Sequence, residues 1–157
     1  MKNPSKLTGS NWREHLPNYW NIEIVDEFDF EPQSYLWTTR CSKTKTISQG
    51  FPRDMYVSAS NLFFYRFAER YGVRYGILSD KYGLHMDDES LGYYDIHPNL
   101  LSSADKSRLG REIGDKASIA GYKAIVFYNA SPLMSRPYFE MLYHSGLRVS
   151  FTTRLPK

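Results

Sequence analysis

Reactive side chains crowd into three short loops in the middle third of the chain. The first loop spans residues 40–45 (RCSKTK) and contains the protein's one cysteine, the second spans 52–56 (PRDMY), and the third spans 79–83 (SDKYG). The first and third loops follow apolar runs with strand character, and ligands bind at the carboxyl ends of strands in an open parallel sheet. Because packing alone rarely places such residues in solvated loops, the three loops are the candidate site.

Cys41 is the candidate nucleophile of the first loop, and Ser42 beside it is a candidate ligand-binding residue. Positive charge from Arg40 or Lys45 would favour the thiolate, which is the reactive form of cysteine. A thiolate adds to a carbonyl, amidine or nitrile carbon, and Lys45 would then protonate the nitrogen or stabilise the developing charge. The alternative is a small buried hydrophobic residue, and the spacing leaves both interpretations open.

The second loop offers a cation, a carboxylate and an aromatic ring. Arg53 can fork onto a phosphate or a carboxylate of a ligand. Asp54 is placed with Cys41 and Lys45 in the catalytic group, although a structural pair with Arg53 is an equal alternative. Tyr56 is either a platform for a planar ligand or a core residue.

The third loop leaves a predicted strand and turns sharply at Gly83. Ser79 and Lys81 supply hydrogen-bond donors to a ligand, and Tyr82 supplies a flat face. All four residues are candidate ligand-binding residues.

Tyr94 and Asp95 complete the candidate binding set. A carboxylate behind an aromatic ring can accept two N–H donors from the amidine edge of a guanine-like base. The four histidines have no metal-ligand spacing, and the chain has neither a glycine-rich phosphate loop nor a nucleophile elbow. The sequence therefore predicts no metal and no cofactor.

The elements that must position these loops alternate between strand and helix from residue 33 onward. This alternation predicts a three-layer α/β/α fold with a mainly parallel sheet of four to five strands. The predicted strands are 34–39, 73–78, 123–128 and 147–152, the last at an edge. The predicted helices begin at Ser58, Ser103 and Ser135.

The chain divides into an N-terminal arm, residues 1–32, and a single α/β domain, residues 33–157. The arm is acidic and proline-containing, with one edge strand at 21–24. The stretch 85–101 is irregular and long enough to be a lid or a binding loop.

Composition sets wide limits on function. No run of 18 apolar residues exists and the N-terminus does not look like a signal peptide, so we expect no membrane partner. A single cysteine excludes an internal disulfide and fits a cytoplasmic protein. The net charge of +3 permits contact with phosphate, and the 16% aromatic content includes loop tyrosines that could stack on a nucleobase.

The order of these loops resembles a family of small uncharacterised proteins with the pattern C-S-x-x-K, P-A-R-x-L-Y, I-L-S-A-K-Y-G-L and P-Y-D. It is more distantly similar to the YaaA proteins of peroxide stress and to archaeosine synthase, with its P-C-x-x-x-K-P-Y signature. The resemblance covers about residues 35 to 96. This sequence differs from the family pattern at Asp80, where the pattern has Ala, and at Tyr93, where the pattern has Pro.

The resemblance implies a uracil-DNA-glycosylase-like fold and a pocket that modifies a nitrile or a base, with Cys41 and Lys45 at matching positions. It therefore predicts an enzyme of the amidotransferase or nitrile-hydratase type that acts on a deazaguanine-type purine, with nucleic acid or a nucleotide as partner. The alternatives are a nucleic-acid-binding protein without chemistry, linked to stress or defence, and a sensor of small nucleotides.

Overall fold

A computed structural model describes residues 7–42, 49–92, 94 and 101–156 of the protein. The helices within these ranges are α1 (Trp12–Trp20), α2 (Pro52–Met55), α3 (Ala59–Tyr71), α4 (Ser103–Ile119) and α5 (Arg136–Tyr143). The strands are β1 (Ile22–Ile24), β2 (Leu36–Arg40), β3 (Gln49–Gly50), β4 (Tyr75–Ser79), β5 (Gly83–Met86), β6 (Leu91–Gly92), β7 (Ala124–Tyr128) and β8 (Arg148–Thr152).

The described residues form a six-stranded sheet in the order β1-β8-β7-β2-β4-β5. Neighbouring strands run parallel except β4 and β5, which are antiparallel. Strands β3 and β6 form a separate antiparallel pair. The α/β class with a mainly parallel sheet is confirmed, whereas the predicted count of four to five strands is wrong because it omits β5, which follows the third loop directly.

The predicted edge strand at 21–24 is confirmed as β1, but the last strand is not at an edge. Strand β1 pairs in parallel with the outer side of β8, where Ile22 lies opposite Val149. Residues 12–20, which the sequence analysis left without an element, form α1. The N-terminal region therefore contributes a helix and a strand to the structure.

Helices pack on both faces of the sheet. On one face, Phe67 of α3 lies 4.6 Å from Trp37 of β2 between ring centroids. On the opposite face, Phe139 of α5 lies 5.7 Å from Phe127 of β7, and Trp12 of α1 contacts Phe151 of β8 edge to face. Burial of these large rings on the two sides of one sheet supplies much of the hydrophobic core.

Helix α3 begins and ends where its local signals predict. The Ser58 hydroxyl accepts a hydrogen bond from the Asn61 N–H at 3.2 Å, and Gly72 ends the helix with a left-handed φ of 62°. The three- and four-residue spacing of Leu62, Phe63, Phe67, Ala68 and Tyr71 predicts the apolar face of this helix. That prediction is only partly right, because Phe63 is 53% exposed and Phe64 is fully buried. Adjacent apolar residues allow two helical faces to satisfy the same spacing, and packing on the sheet selects one.

Two glycines allow α4 and α5 to pack at close range. A Cβ atom added at Gly110 would overlap the carbonyl oxygen of Met141, and one added at Gly114 would overlap the carbonyl oxygen of Ser145. The backbones of the two helices therefore meet without side chains between them. This contact fixes α5, which carries Tyr138 toward the candidate site.

We expect Gly110→Ala to lower the free energy of unfolding by about 1–3 kcal/mol, because the new methyl group overpacks the contact between α4 and α5. Urea unfolding followed by circular dichroism measures the change. The control is Ser118→Ala, an exposed position of α4, where we expect a gain of a few tenths of a kcal/mol from helix propensity. If Gly110→Ala stabilises the protein as a Gly-to-Ala change in an open helix does, the close packing is wrong.

Candidate functional site

The Cys41 thiol lies at the carboxyl-terminal rim of the sheet, directly after β2. The Cys41 N–H donates to the Leu78 carbonyl at 2.9 Å, which continues the pairing of β2 with β4. Its sulfur lies 3.4 Å from the Asp80 carboxylate, to which it donates, and 3.4 Å from the Tyr138 hydroxyl. The residue is 6% exposed, so a small part of it reaches the surface.

Asp80 joins the thiol to α5. Its side chain is 4% exposed, and its second oxygen accepts a hydrogen bond from the Tyr138 hydroxyl at 2.8 Å. A buried carboxylate is costly unless hydrogen-bond donors surround it, and these two donors offset that cost. Burial, reinforced by Cys41 and Asp80, raises the pKa of Tyr138 well above its usual value. Tyr138 therefore stays protonated and acts as a donor.

A cleft of about 430 Å³ opens beside the thiol. Its walls come from the ends of β2 and β7, the first turn of α3 and the segment before α5: Arg40, Cys41, Ser42, Ser58, Ser60, Asn61, Asn129, Ala130, Ser131 and Met134. From β2 the chain crosses through α3 to β4, whereas from β7 it crosses through α5 to β8 on the other side. The cleft is thus at the topological switch point of the sheet, where ligands bind in open α/β folds.

One guanidinium group and the start of one helix contribute positive charge to this cleft. The Arg40 guanidinium donates to the Met134 carbonyl at 2.7 Å and lies 5.9 Å from the centroid of the Tyr138 ring. Asn61, near the start of α3, donates through its side-chain amide to the Arg40 carbonyl at 3.1 Å. The amino-terminal end of a helix carries partial positive charge, so it adds to the charge of Arg40.

A second buried polar network involves Tyr56, Tyr94 and His85. The Tyr56 hydroxyl lies 3.1 Å from the Tyr94 hydroxyl and 3.2 Å from Nδ1 of His85. Nε2 of His85 lies 2.7 Å from the Glu89 carbonyl, which can only accept, so Nε2 carries the proton and Nδ1 accepts from Tyr56. Burial raises the pKa of both Tyr56 and Tyr94 above the ordinary value of tyrosine, so their hydroxyls stay protonated.

Ser79, Tyr82 and Gly83 shape the third loop. The buried Ser79 hydroxyl accepts the N–H groups of Lys81 and Tyr82 at 3.2 and 3.0 Å, and the Tyr82 hydroxyl donates to the Gly92 carbonyl at 3.1 Å. Gly83 has a φ of 73°, and a Cβ atom there would lie 2.8 Å from a carbonyl oxygen of α4. These contacts hold the turn between β4 and β5, connect it to β6, and join Ser79 to Tyr56 and Tyr94.

Other predicted site residues lie apart from the cleft. Arg53 pairs with Glu69 of α3 at 3.2 Å, and both side chains are more than half exposed. Asp54 is exposed on α2, and Lys81 is exposed with its ammonium 5.3 Å from the centroid of the Tyr82 ring. None of these three lines the described cleft. Lys45 and Asp95 lie outside the described residues.

The structure adds two residues that the sequence analysis did not select. Asp80 was noted only as a difference from the family pattern, yet it contacts the thiol directly. Its position in the third loop was a usable signal, because that loop was expected to meet the first. Tyr138 had no such signal, since it lies 97 residues from Cys41 within an apolar helix.

A scan against protein-family models finds no match, and searches of curated proteins and of solved structures find no similar protein. Across the described ranges, none of the helices is long and apolar enough to cross a membrane. Within the same ranges, no group of three or more His, Cys, Asp or Glu side chains is arranged to hold a metal ion.

The pH dependence of stability tests the network around His85. Burial lowers the pKa of His85 below its ordinary value of about 6.5, against the opposing effect of Glu89. The unfolded chain therefore takes up a proton that the folded protein resists, so His85 makes the free energy of unfolding fall as pH decreases below about 6.5.

We expect His85→Gln to remove this dependence. Urea unfolding at several pH values between about 7.5 and 5 should show a steeper loss of stability in the unsubstituted protein than in the variant, by up to about 1.4 kcal/mol per pH unit. His144→Gln, at an exposed position, is the matched control and should retain the steeper loss. Equal pH dependence in the unsubstituted protein and His85→Gln would mean that His85 is not held neutral.

Proposed function

We propose that the protein is an enzyme that uses Cys41 as a nucleophile on an electrophilic carbon of a modified purine base or nucleotide. The observation that carries this proposal is a thiol at the switch-point cleft, hydrogen-bonded at 3.4 Å to a buried carboxylate. The hydrogen bond gives the thiol a proton acceptor within direct reach. A carboxylate beside a nucleophile can accept and return its proton.

The resemblance to base-modifying proteins narrows the electrophile to a nitrile of the deazaguanine type. The proposal includes a uracil-DNA-glycosylase-like arrangement of three layers, in agreement with helices on both faces of a mainly parallel sheet. In this proposal Lys45 stabilises the developing charge and Asp95 recognises the base, as the sequence predicts. Arg40 and the start of α3 favour a phosphate group of the substrate.

The proposed reaction begins with transfer of the Cys41 proton to the Asp80 carboxylate. The sulfur electron pair forms a C–S bond to the nitrile carbon, one π bond of the nitrile breaks, and the nitrogen takes the proton, which gives a thioimidate. Water then adds to the same carbon, the C–S bond breaks, and the sulfur regains a proton. The sum is nitrile plus water giving a primary amide, with no oxidation or reduction.

Tyr138 has a positioning role in this scheme. Its hydroxyl donates to one oxygen of Asp80 and leaves the other directed at the sulfur. Because the raised pKa of Tyr138 keeps the hydroxyl protonated, that donor is present at any physiological pH. The carboxylate is thus held in the orientation needed for proton transfer.

Turnover of a cyano-deazaguanine nucleoside or oligonucleotide tests the proposal. We expect Cys41→Ser to lose at least about 1,000-fold in kcat, and Asp80→Asn about 100-fold or more, because a nucleophile and a proton carrier are lost. Liquid chromatography with mass detection of the amide measures the rate. Asp115→Asn, at an exposed position of α4, is the control for Asp80→Asn and should keep full activity.

Unchanged turnover in Cys41→Ser would remove the thiol from the mechanism. If the unsubstituted protein does not convert the nitrile but still binds nucleic acid, the alternative of a binding protein without chemistry is favoured.

A comparison of Tyr138→Phe with Tyr143→Phe, on the same helix, tests whether Tyr138 positions the Asp80 carboxylate. We expect only the former to lower kcat, with a shift in the pH profile that loss of stability alone would not cause.

A further inference from the structure

A second concave surface, of about 520 Å³, lies along α3. Its walls are the outer side of α3, the end of β7 and the chain that follows β8. We call it the arginine groove and define it by Phe63, Arg66, Arg70, Tyr71, Tyr128 and Arg154.

The charge of this groove is of one sign. Arg66, Arg70 and Arg154 line it, and no carboxylate is among its described lining residues. Arg154 donates to the backbone carbonyl of Asp26 at 3.1 Å, whereas the carboxylate of Asp26 is bound by Arg13 at 2.8 Å. The groove therefore presents mainly positive charge, which the Asp26 carboxylate offsets in part at Arg154, and it suits an anionic ligand.

Aromatic rings lie between these charges. The Phe63 ring is 53% exposed, so a face of the ring is open to a ligand in the groove. The Arg70 guanidinium lies 5.8 Å from the centroid of the half-buried Tyr71 ring. An exposed ring beside guanidinium groups suits single-stranded nucleic acid, because a base can stack on the ring while phosphates contact the cations.

The groove and the cleft beside Cys41 are lined by neighbouring residues of the same two elements, α3 and the end of β7. Ser60 lines the cleft and Phe63, one helical turn further along α3, lines the groove. In the same way, Asn129 lines the cleft and the preceding residue, Tyr128, lines the groove. From Ser60 to Arg70 the helix advances about 15 Å. That length matches roughly four nucleotides at the spacing of about 3.4 Å between stacked bases.

We infer that the arginine groove binds the single strand of nucleic acid that flanks the base held in the cleft. The inference rests on the proposed function for the base in the cleft, and it makes the substrate a polynucleotide rather than a free nucleotide. Guanidinium groups contact successive phosphates and Phe63 stacks on a base. Because the phosphate and base contacts are shared by DNA and RNA, both are probed.

Fluorescence anisotropy with labelled oligothymidylate and oligouridylate of about 12 nucleotides tests the inference. We expect the double variant Arg66→Ala/Arg70→Ala to weaken binding at least about tenfold and to reduce the slope of log K against log salt by about 1.4, or 0.7 for each lost phosphate contact. Phe63→Ala should weaken binding about fivefold or more through lost stacking. Arg111→Ala, exposed on α4, is the matched control and should bind normally.

Two further binding measurements distinguish nucleic acid from other anionic ligands of the groove. A polyglutamate chain at equal charge concentration should compete poorly, and an abasic oligonucleotide should bind weakly and be insensitive to Phe63→Ala. If polyglutamate competes as well as the oligonucleotide, the groove recognises acidic chains in general and the inference is wrong. Equal affinity of the groove variants and the unsubstituted protein would also overturn it.

Cys41→Ser distinguishes failure of this inference from failure of the proposed function. It should bind the oligonucleotide with unchanged affinity, because the thiol lies outside the groove. Retained binding with retained turnover in Cys41→Ser would defeat only the proposed chemistry. Loss of turnover in Cys41→Ser, together with full binding by the groove variants, would defeat only the inference. Arg66 and Arg70 are exposed, so we expect the thermal unfolding of the double variant to match that of the unsubstituted protein.

Discussion

The buried carboxylate of Asp80 is the constraint on which the site depends. It accepts from the Cys41 thiol at 3.4 Å and from the Tyr138 hydroxyl at 2.8 Å, and so it ties the ends of β2 and β4 to the first turn of α5. A carboxylate that is 4% exposed cannot remain charged without such donors. Cys41 and Tyr138, which both donate to the carboxylate, are therefore held in contact with each other at the reactive sulfur.

The fold places these groups together through backbone contacts far from the chemistry. Pairing of the Cys41 N–H with the Leu78 carbonyl sets the end of β2 level with the end of β4. Close packing of α5 on the glycines of α4 fixes the position of Tyr138 relative to the rim of the sheet. Because β2 and β7 send their crossovers to opposite sides, the rim between them opens into a cleft. Sheet register, helix packing and topology all contribute to one small cavity.

Local signals in the sequence predict much of this arrangement, and long-range contacts explain the rest. Ser58 and Gly72 mark α3 because caps depend on a few neighbouring residues. The meeting of Cys41 with the third loop follows from the parallel sheet. The sequence could not show that Tyr138 completes the site, because that depends on how α5 is rotated. Nor could it show that Arg53 pairs with Glu69, since several carboxylates compete for one exposed guanidinium.

The most direct test of the account is the mass of the protein after rapid acid quenching of its reaction with a cyano-deazaguanine nucleoside. A thioimidate adds the whole mass of the nitrile to the protein, since addition expels no group. The account predicts this increase on the peptide that contains Cys41 and none in Cys41→Ser. Amide product that accumulates with no adduct on Cys41 at any quench time would contradict the account.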